Sequence, residues 1–331
     1  KPPVFYFNEQ RSSPFIMNPE EYYLSILRFT VETGTLPVFI PSIQPNQNDP
    51  NKTIYSLSLE WEDPVGGVIY TSGEVFLTFY PQDRSAPIPP APNTTANGIQ
   101  NNSNGYYNVY NYSVLPLLVN AALQDAYSLL NIAVVAAGLT LPSNFAPVMS
   151  WDSTADSAAL YFDTAGYKPI LLFFNAPLFG LFPSFPAEYL GYETALNGKN
   201  FQFLPLNWGA NLGGGTITPS PPTVPTFWDS IAVYQEYSTI ANFSPIVGLV
   251  FTSNTLPIQP TQVSTPVVYD NAQQIVLGGN NSDFANVITD LVSGDGNYKP
   301  NLVYNPTSEY RLITLYGNRP LSNIDIQVFW R

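Results

Sequence analysis

Two glutamates could supply the carboxyl pair of a hydrolase. Glu60 and Glu62 lie on one side of a strand-like segment, and Asp63 follows them directly. A glycoside hydrolase uses one carboxyl group as the acid and a second as the nucleophile or base. Alternating acids on a solvated strand are also an ordinary surface feature, and the sequence gives no distance between them. A carboxylate-dependent glycoside hydrolase therefore stays an alternative interpretation, and we expect these acids to be non-catalytic.

The chain contains neither histidine nor cysteine, and this composition excludes most other reaction centres. A Ser-His-Asp relay, a thiol nucleophile and a Cys/His zinc site each need at least one of these residues. Disulfides are excluded for the same reason, so stability must come from packing or from assembly. We therefore expect a protein that is not an enzyme and that has no cofactor.

Three tryptophans have an acidic neighbour, a combination typical of sugar-binding surfaces when the indole is exposed. The pairs are Trp61-Glu62, Trp151-Asp152 and Trp228-Asp229. A tryptophan at the end of a β strand more commonly belongs to the core, where its large ring is buried. A glycan-binding viral spike or adhesin module is therefore the first alternative function, and we assign no binding residue to it.

Four acidic residues could contribute to a calcium site between subunits. Asp290, Asp295, Glu20 and Glu21 offer the hard oxygen ligands that Ca²⁺ prefers. Their spacing does not match a dedicated calcium-binding loop, and a solvated surface explains them better. We expect no metal site.

The charge composition indicates a protein whose flanks are covered by neighbours. Only 11% of the residues are charged, against about 25% in typical globular domains. The net charge of −13 and the lack of a Lys/Arg cluster argue against direct binding of nucleic acid. No apolar stretch reaches about 18 residues without polar interruption, so we expect no transmembrane segment.

The positions of apolar residues predict mainly short β strands. In the segment Tyr55–Glu62 the odd-numbered residues are apolar and the even-numbered residues are polar. This alternation is typical of a strand with one buried face and one solvated face. About sixteen β segments are predicted along the chain, without a repeat of fixed period. The fold class is therefore all-β, a sandwich or barrel.

One long helix interrupts these strands at about residues 114–137. Ser113 is the predicted N-cap, Pro116 lies in the first turn and Gly138 is the predicted stop. Its predicted apolar stripe consists of Leu118, Ala122, Ala126, Leu129 and Ala133. Because the opposite stripe is polar, we expect the helix to cover one face or edge of a sheet.

A long loop and a tyrosine-rich segment precede the helix. The loop spans residues 81–104 and is rich in Pro, Asn, Thr and Ser. The segment Tyr106–Tyr112 alternates in a way that predicts an edge strand, and a subunit interface is the functional alternative, since Tyr offers amphipathic contact area. A second long loop is predicted at residues 209–225. It divides a first β module, residues 14–208, from a second, residues 226–331.

Three stretches together resemble a known class of proteins. The first runs from Met149-Ser150-Trp151-Asp152 to Phe182-Pro183-Ser184-Phe185, the second from Phe243-Ser244-Pro245-Ile246 to Leu256-Pro257-Ile258, and the third from Glu309-Tyr310-Arg311-Leu312 to Phe329-Trp330. The arrangement, over about residues 107–331, resembles jelly-roll capsid proteins of small non-enveloped icosahedral viruses. The resemblance implies eight-stranded β sandwiches, self-assembly and no catalysis.

These observations favour a structural viral capsid protein that self-assembles into an icosahedral shell. About sixteen strands favour two jelly rolls, although one sandwich with large insertions stays open. The expected partners are copies of the chain itself and other capsid proteins, and the expected location is the virion.

Overall fold

The structure is a computed structural model in which the chain divides into two compact units. The roll unit comprises Lys1–Leu36 and Ser244–Arg331, and the inserted unit comprises Pro37–Phe243. The residues that the structure describes are 5–27, 29–32, 37–45, 48–92, 100–102, 105–143, 145–163, 170–191, 197–203, 230–243, 248–259, 261–264, 268–269, 275–277, 282–292, 301–304 and 312–330.

Short strands dominate both units. The elements before residue 205 are β1 (Phe5–Gln10), β2 (Tyr23–Leu24), β3 (Phe29–Glu32), β4 (Lys52–Glu62), β5 (Ile69–Thr71), β6 (Val75–Thr78), α1 (Val114–Ala136), β7 (Val148–Asp152), β8 (Ser157–Asp163), β9 (Leu171–Phe174), α2 (Ala176–Phe179), β10 (Ala187–Tyr189) and β11 (Phe201–Phe203). The later strands are β12 (Ser230–Tyr234), β13 (Gly248–Thr252), β14 (Thr261–Ser264), β15 (Val268–Tyr269), β16 (Ile275–Leu277), β17 (Ser282–Ala285), β18 (Val287–Val292), β19 (Asn301–Tyr304), β20 (Ile313–Thr314) and β21 (Asn323–Trp330).

The antiparallel strand pairs of the roll unit are nested one inside the next. From the outermost to the innermost they are β1–β21, β2–β20, β3–β19, β13–β18, β14–β17 and β15–β16. Such nesting results when one long antiparallel ribbon is rolled up, and β13 also pairs with β21 across the roll. This is the connectivity of a jelly roll. The prediction of an all-β fold of the jelly-roll type is confirmed.

Apolar side chains from both ends of the sequence form the core of the roll unit. Leu249 and Phe251 on β13 pack with Val328 on β21, and all three are at most 2% exposed. The ring of Phe29 on β3 meets Phe251 edge-on, with ring centroids 4.8 Å apart. Burial of side chains of this size stabilises by about 1.5–3 kcal/mol each, so β3, β13 and β21 stabilise one another.

The inserted unit contains a six-stranded sheet and a three-stranded sheet. The first has the order β10-β11-β9-β4-β5, with β6 also pairing with β4, and the second has the order β12-β8-β7. β4 confirms the predicted alternation on its apolar face, where Tyr55, Leu57, Leu59 and Trp61 are at most 6% exposed. α1 packs against β4, β5, β6 and β7, so it covers sheet strands as predicted.

The prediction that the second face of β4 is exposed to solvent is wrong for the middle of the strand. Ser56 and Ser58 are both fully buried. The Ser56 hydroxyl donates a hydrogen bond to Glu74 at 2.5 Å, and Lys199 extends to Glu60 on the same face. Because these covering residues lie far along the chain, the alternation of β4 alone could not indicate them.

The helix α1 begins and ends where predicted, but the hydrogen bonding at its N-terminus differs from the prediction. Gly138 adopts φ 77°, its N–H donates to Val135, and the N–H of Leu139 donates to Val134, which is the pairing of a Schellman C-cap. Ser113 is itself helical and makes no side-chain capping bond. Its N–H donates to the side chain of Asn111 at 2.9 Å, so Ser113 occupies the predicted N-cap position but does not cap the helix with its own side chain.

One stripe of α1 and the tyrosine segment also differ from the prediction. Leu129, placed on the apolar stripe, is 47% exposed.

The tyrosine segment contains no strand, only a bridge between Phe39 and Val109. Tyr106 and Tyr107 are at most 2% exposed, so these two residues belong to the core rather than to a subunit interface.

The two units do not coincide with the predicted modules 14–208 and 226–331. Residues 5–32 pair with C-terminal strands and therefore belong to the roll unit. The chain leaves this unit after Leu36 and returns at Ser244. A strand pattern identifies a strand but not its partner, which is why periodicity assigned the N-terminal segment to its neighbour in sequence. The predicted loop 209–225 lies outside the described residues.

Candidate assembly surfaces

Two of the acids Glu60, Glu62 and Asp63 take part in structural contacts. Glu60 forms an ion pair with Lys199, and both side chains are mostly buried. The Asp63 carboxylate accepts hydrogen bonds from the N–H groups of Val65 at 3.0 Å and Gly66 at 2.8 Å. Asp63 therefore stabilises the turn between β4 and β5. These contacts give Glu60 and Asp63 structural roles.

The two pairs Trp61-Glu62 and Trp151-Asp152 offer no open indole platform. Trp61 is 4% exposed and stacks on Tyr70, with ring centroids 6.1 Å apart. Trp151 stacks on Tyr112 at 5.7 Å. A sugar ring needs a free aromatic face, and in both cases an aromatic neighbour lies against the indole. Trp228 lies outside the described residues.

The acids considered for calcium lie in different elements of the roll unit. Glu20 and Glu21 form a 3₁₀ turn, Pro19–Glu21, and Asp290 lies on β18 opposite Val250. Within the described part of the chain, no three acidic side chains come together as metal ligands. Asp295 lies outside that part.

A buried carboxylate, Asp325, connects the second and third stretches of the resemblance. Its Oδ1 accepts hydrogen bonds from the hydroxyls of Ser253 and Thr255, both at 2.7 Å, and from the N–H groups of Asn254 at 2.9 Å and Thr255 at 2.8 Å. Burial alone would raise the pKa of Asp325, but these hydrogen bonds outweigh it and lower the pKa. Asp325 thus holds the turn after β13 against β21.

An amide, Asn175, plays the corresponding part in the inserted unit. Its side-chain oxygen accepts from the N–H groups of Ser56 at 3.1 Å and Leu178 at 3.0 Å, and its amide N–H₂ donates to the carbonyl of Ile54 at 2.8 Å. Asn175 therefore caps α2 and joins it to β4. Sequence reasoning missed both anchors, because apart from the N-cap bond of Asn175 to Leu178 their partners lie about 70 to 120 residues away.

Two groups of exposed apolar side chains on the roll unit lie on or beside strands. Phe5, Tyr6 and Phe7 on the edge strand β1 are 47%, 54% and 41% exposed. On the β2–β20 ladder, Tyr23 is 65% exposed and Leu312, which directly precedes β20, is 63% exposed. Aromatic contact area with little charge is characteristic of the centres of protein interfaces.

The outer side of α1 forms a third bare apolar surface, on the inserted unit. Leu117, Leu129, Ile132 and Val135 are 47% to 64% exposed. By length and composition alone α1 could also cross a membrane, although polar residues interrupt its apolar stretch, as expected from the sequence. The inner side of α1 packs on sheet strands, as in the core helix of a globular unit.

Charge is distributed unevenly between the units. The inserted unit has 4 basic and 14 acidic residues, a net charge of −10, whereas the roll unit has 7 basic and 10 acidic residues, a net charge of −3. Like charges on opposing surfaces repel, so association of identical copies is less opposed through the roll unit.

One family profile matches the whole chain. The family is described as Sputnik minor capsid protein V18/19, and the match covers residues 1–331. Among curated proteins of Sputnik virophage, "Uncharacterized protein V18" is 36% identical over 124 residues, which are 37% of this chain and 70% of that protein. "Structural protein V19" is 28% identical over 177 residues, which are 52% of this chain and 74% of that protein.

Two solved structures have a similar fold. A cryo-EM structure of the Sputnik virophage matches with a TM-score of 0.74 and 28% identity, covering 99% of this chain and 85% of that chain. A crystal structure of the mavirus penton protein matches with a TM-score of 0.57, covering 100% of this chain and 83% of that chain. Its identity of 15% shows a shared fold alone.

Proposed function

Because the chain belongs to the Sputnik minor capsid protein V18/19 family and is a structural protein of a viral capsid, we propose that it forms rings of identical copies at the vertices of an icosahedral shell. The observation that carries the proposal is the fold match to a penton protein over the whole chain. A minor protein of a closed shell fits the symmetric vertex positions, where the same contact recurs around an axis.

The low-charge surface of the roll unit supports assembly from copies of one chain. Each copy carries a net charge of −13, but the roll unit contributes only −3 of it. Repeated contacts around a ring reinforce each other, so each individual contact can be weak. Other capsid proteins of the shell are the expected second class of partner.

We further propose that the chain has no catalytic activity. Glu60 is engaged by Lys199 and Asp63 by its own turn, so neither is poised as an acid or a nucleophile. The expected result is no turnover of glycoside substrates by the purified chain. Hydrolysis that disappears in the variant Glu60→Gln would contradict this part of the proposal.

Direct contact with the genome is also not expected of this chain. Both units have a net negative charge, and binding to nucleic acid depends mainly on basic side chains that neutralise phosphates. A binding assay at low salt, where such contacts are strongest, is the appropriate measurement. Salt-dependent binding of DNA or RNA would contradict the expectation.

Electron microscopy with native mass spectrometry of the purified chain tests the vertex proposal. The expected result is closed rings of five identical copies over a range of protein concentrations. A monomer that persists at high concentration, or rings with another number of copies, would overturn the proposed position in the shell.

A further inference from the structure

We propose that strand β1 forms the contact between neighbouring copies of this chain, with its aromatic side chains and free edge covered by the next copy. The inference rests on the proposed ring assembly and names the surface that makes it. The surface consists of the strand Phe5–Gln10 at the edge of the sheet β1-β21-β13-β18.

A single ladder attaches β1 to the rest of the chain. It runs antiparallel to β21, from Phe5 opposite Val328 to Gln10 opposite Asn323. The opposite edge of β1 has no strand partner among the described residues. The outward main-chain N–H and C=O groups of such an edge can pair with another chain.

The side chains on both faces of β1 are exposed, and this exposure distinguishes β1 from strands that pack on a core. Phe5 and Phe7 point to one face and Tyr6 to the other, because side chains alternate along a strand. All three are exposed by 41% to 54%. In β4, by contrast, Leu57 and Leu59 are at most 1% exposed. The aromatic rings of β1 therefore have apolar surface that the described part of the chain leaves exposed.

The first four residues of this edge also lack the features by which proteins protect free edge strands. Such edges are usually blunted by charged side chains, proline or a bulge. Phe5, Tyr6, Phe7 and Asn8 include no charge and no proline, and the register with β21 is regular over all six pairs. The only acid in the strand, Glu9, forms an ion pair with Arg11 at 2.7 Å. An edge strand of this kind can pair with a strand of another chain.

Charge favours an identical copy as that partner. Two copies with a net charge of −13 each repel wherever acidic surfaces meet, and β1 offers contact without an unpaired acid. A cationic partner would instead be attracted to the inserted unit, whose net charge is −10. In a ring the contact joins two different surfaces of adjacent copies, so one β1 strand per copy is enough for closure.

The absence of cysteine allows a direct test with a single introduced thiol. In the variant Tyr6→Cys, maleimide should react at least about tenfold more slowly in assembled rings than in diluted monomers. This ratio corresponds to a free energy of about 1.4 kcal/mol for exposing the thiol in the ring. The matched control is Val65→Cys, in a turn of the inserted unit and 94% exposed. Its reactivity should be the same in both states.

The double variant Tyr6→Ser/Phe7→Ser provides a second readout. Since both side chains are about half exposed, the melting temperature of the monomer should fall only slightly, while ring formation should need at least about tenfold more protein. Val65→Ser should assemble as the wild type does. Rings that form normally in the double variant, together with a Tyr6→Cys thiol that is equally reactive in both states, would overturn this inference alone. A wild-type chain that never forms rings would overturn the proposed function and this inference with it.

Discussion

The roll unit and the inserted unit are both built of β strands, but they differ in connectivity and charge. In the roll unit, strands from the two ends of the sequence form nested pairs, and the net charge is −3. In the inserted unit every described strand pairs within residues 37–243, and the net charge is −10. This difference is the basis of the proposed division of labour, in which the roll unit would associate with copies and the more acidic inserted unit would not.

Removing the buried carboxylate of the roll unit should have the largest effect. In Asp325→Ala the donors of Ser253, Asn254 and Thr255 lose their common acceptor, so the roll unit should lose about 3 kcal/mol of stability. Hydrogen exchange resolved by residue would measure it. The control Asp152→Ala removes an exposed acceptor of two N–H groups and should have a far smaller effect. Equal destabilisation of both units by Asp325→Ala would contradict the claim that Asp325 stabilises the roll unit in particular.

The matching anchor of the inserted unit should have the next largest effect. Asn175→Ala leaves the N–H of Ser56, the N–H of Leu178 and the carbonyl of Ile54 without their side-chain partner. We expect a loss of about 2 kcal/mol, confined to the inserted unit. Gln124→Ala, an exposed change on α1, is the control and should be nearly neutral. Destabilisation of the roll unit by Asn175→Ala would show that the units do not unfold separately.

The units should respond to opposite extremes of pH. The folded pKa of Asp325 is lowered, so its stabilising contribution is present above the unfolded pKa of about 4 and is lost as the pH falls below it. In the inserted unit, burial, with help from Tyr106 and Asp49, raises the pKa of Tyr107 to about 12. Its contribution is present below about pH 10 and is lost as the pH rises towards 12.

The free energy of unfolding, measured as a function of pH, would check both predicted losses of stability. The acid loss of the roll unit should be reduced in Asp325→Asn, and the alkaline loss of the inserted unit should be reduced in Tyr107→Phe. A wild-type roll unit whose stability is the same at about pH 3 and about pH 6 would contradict the role given to Asp325.

The smallest expected effect concerns the end of α1. Gly138 has φ 77° with no atom within 4 Å of an added Cβ, so Gly138→Ala meets backbone strain but no clash. The cost should be about 1 kcal/mol in the inserted unit, measured by chemical denaturation. Thr140→Ala, two residues later and exposed, should cost less than about half of that.

Local signals explain which parts of the fold could be predicted. The end of α1 at Gly138 and the buried face of β4 follow from residues within a few positions of each other, and both were predicted. The N-cap position at Ser113 was predicted as well, but not that the side chain of Asn111, another good capping residue, accepts a hydrogen bond there. The strand β1 was missed because Phe5, Tyr6 and Phe7 are consecutive aromatics without alternation.

Long-range pairings explain the rest. The boundary of the roll unit depends on the pairing of β1 with β21. The burial of Ser58 depends on residues that pack on β4 from elsewhere in the chain. Asp325 carries no local sign of its role, because its partners Ser253 and Thr255 lie about 70 residues away. The bare aromatic surface of β1 likewise became visible only when the other described strands were found not to cover it.

Hydrogen exchange of the chain before and after assembly tests the division of labour most directly. The account predicts that protection on assembly appears in the roll unit, with its largest increase in Phe5–Gln10, while the inserted unit changes little. Protection confined to the inserted unit, for example along the outer side of α1, would contradict it.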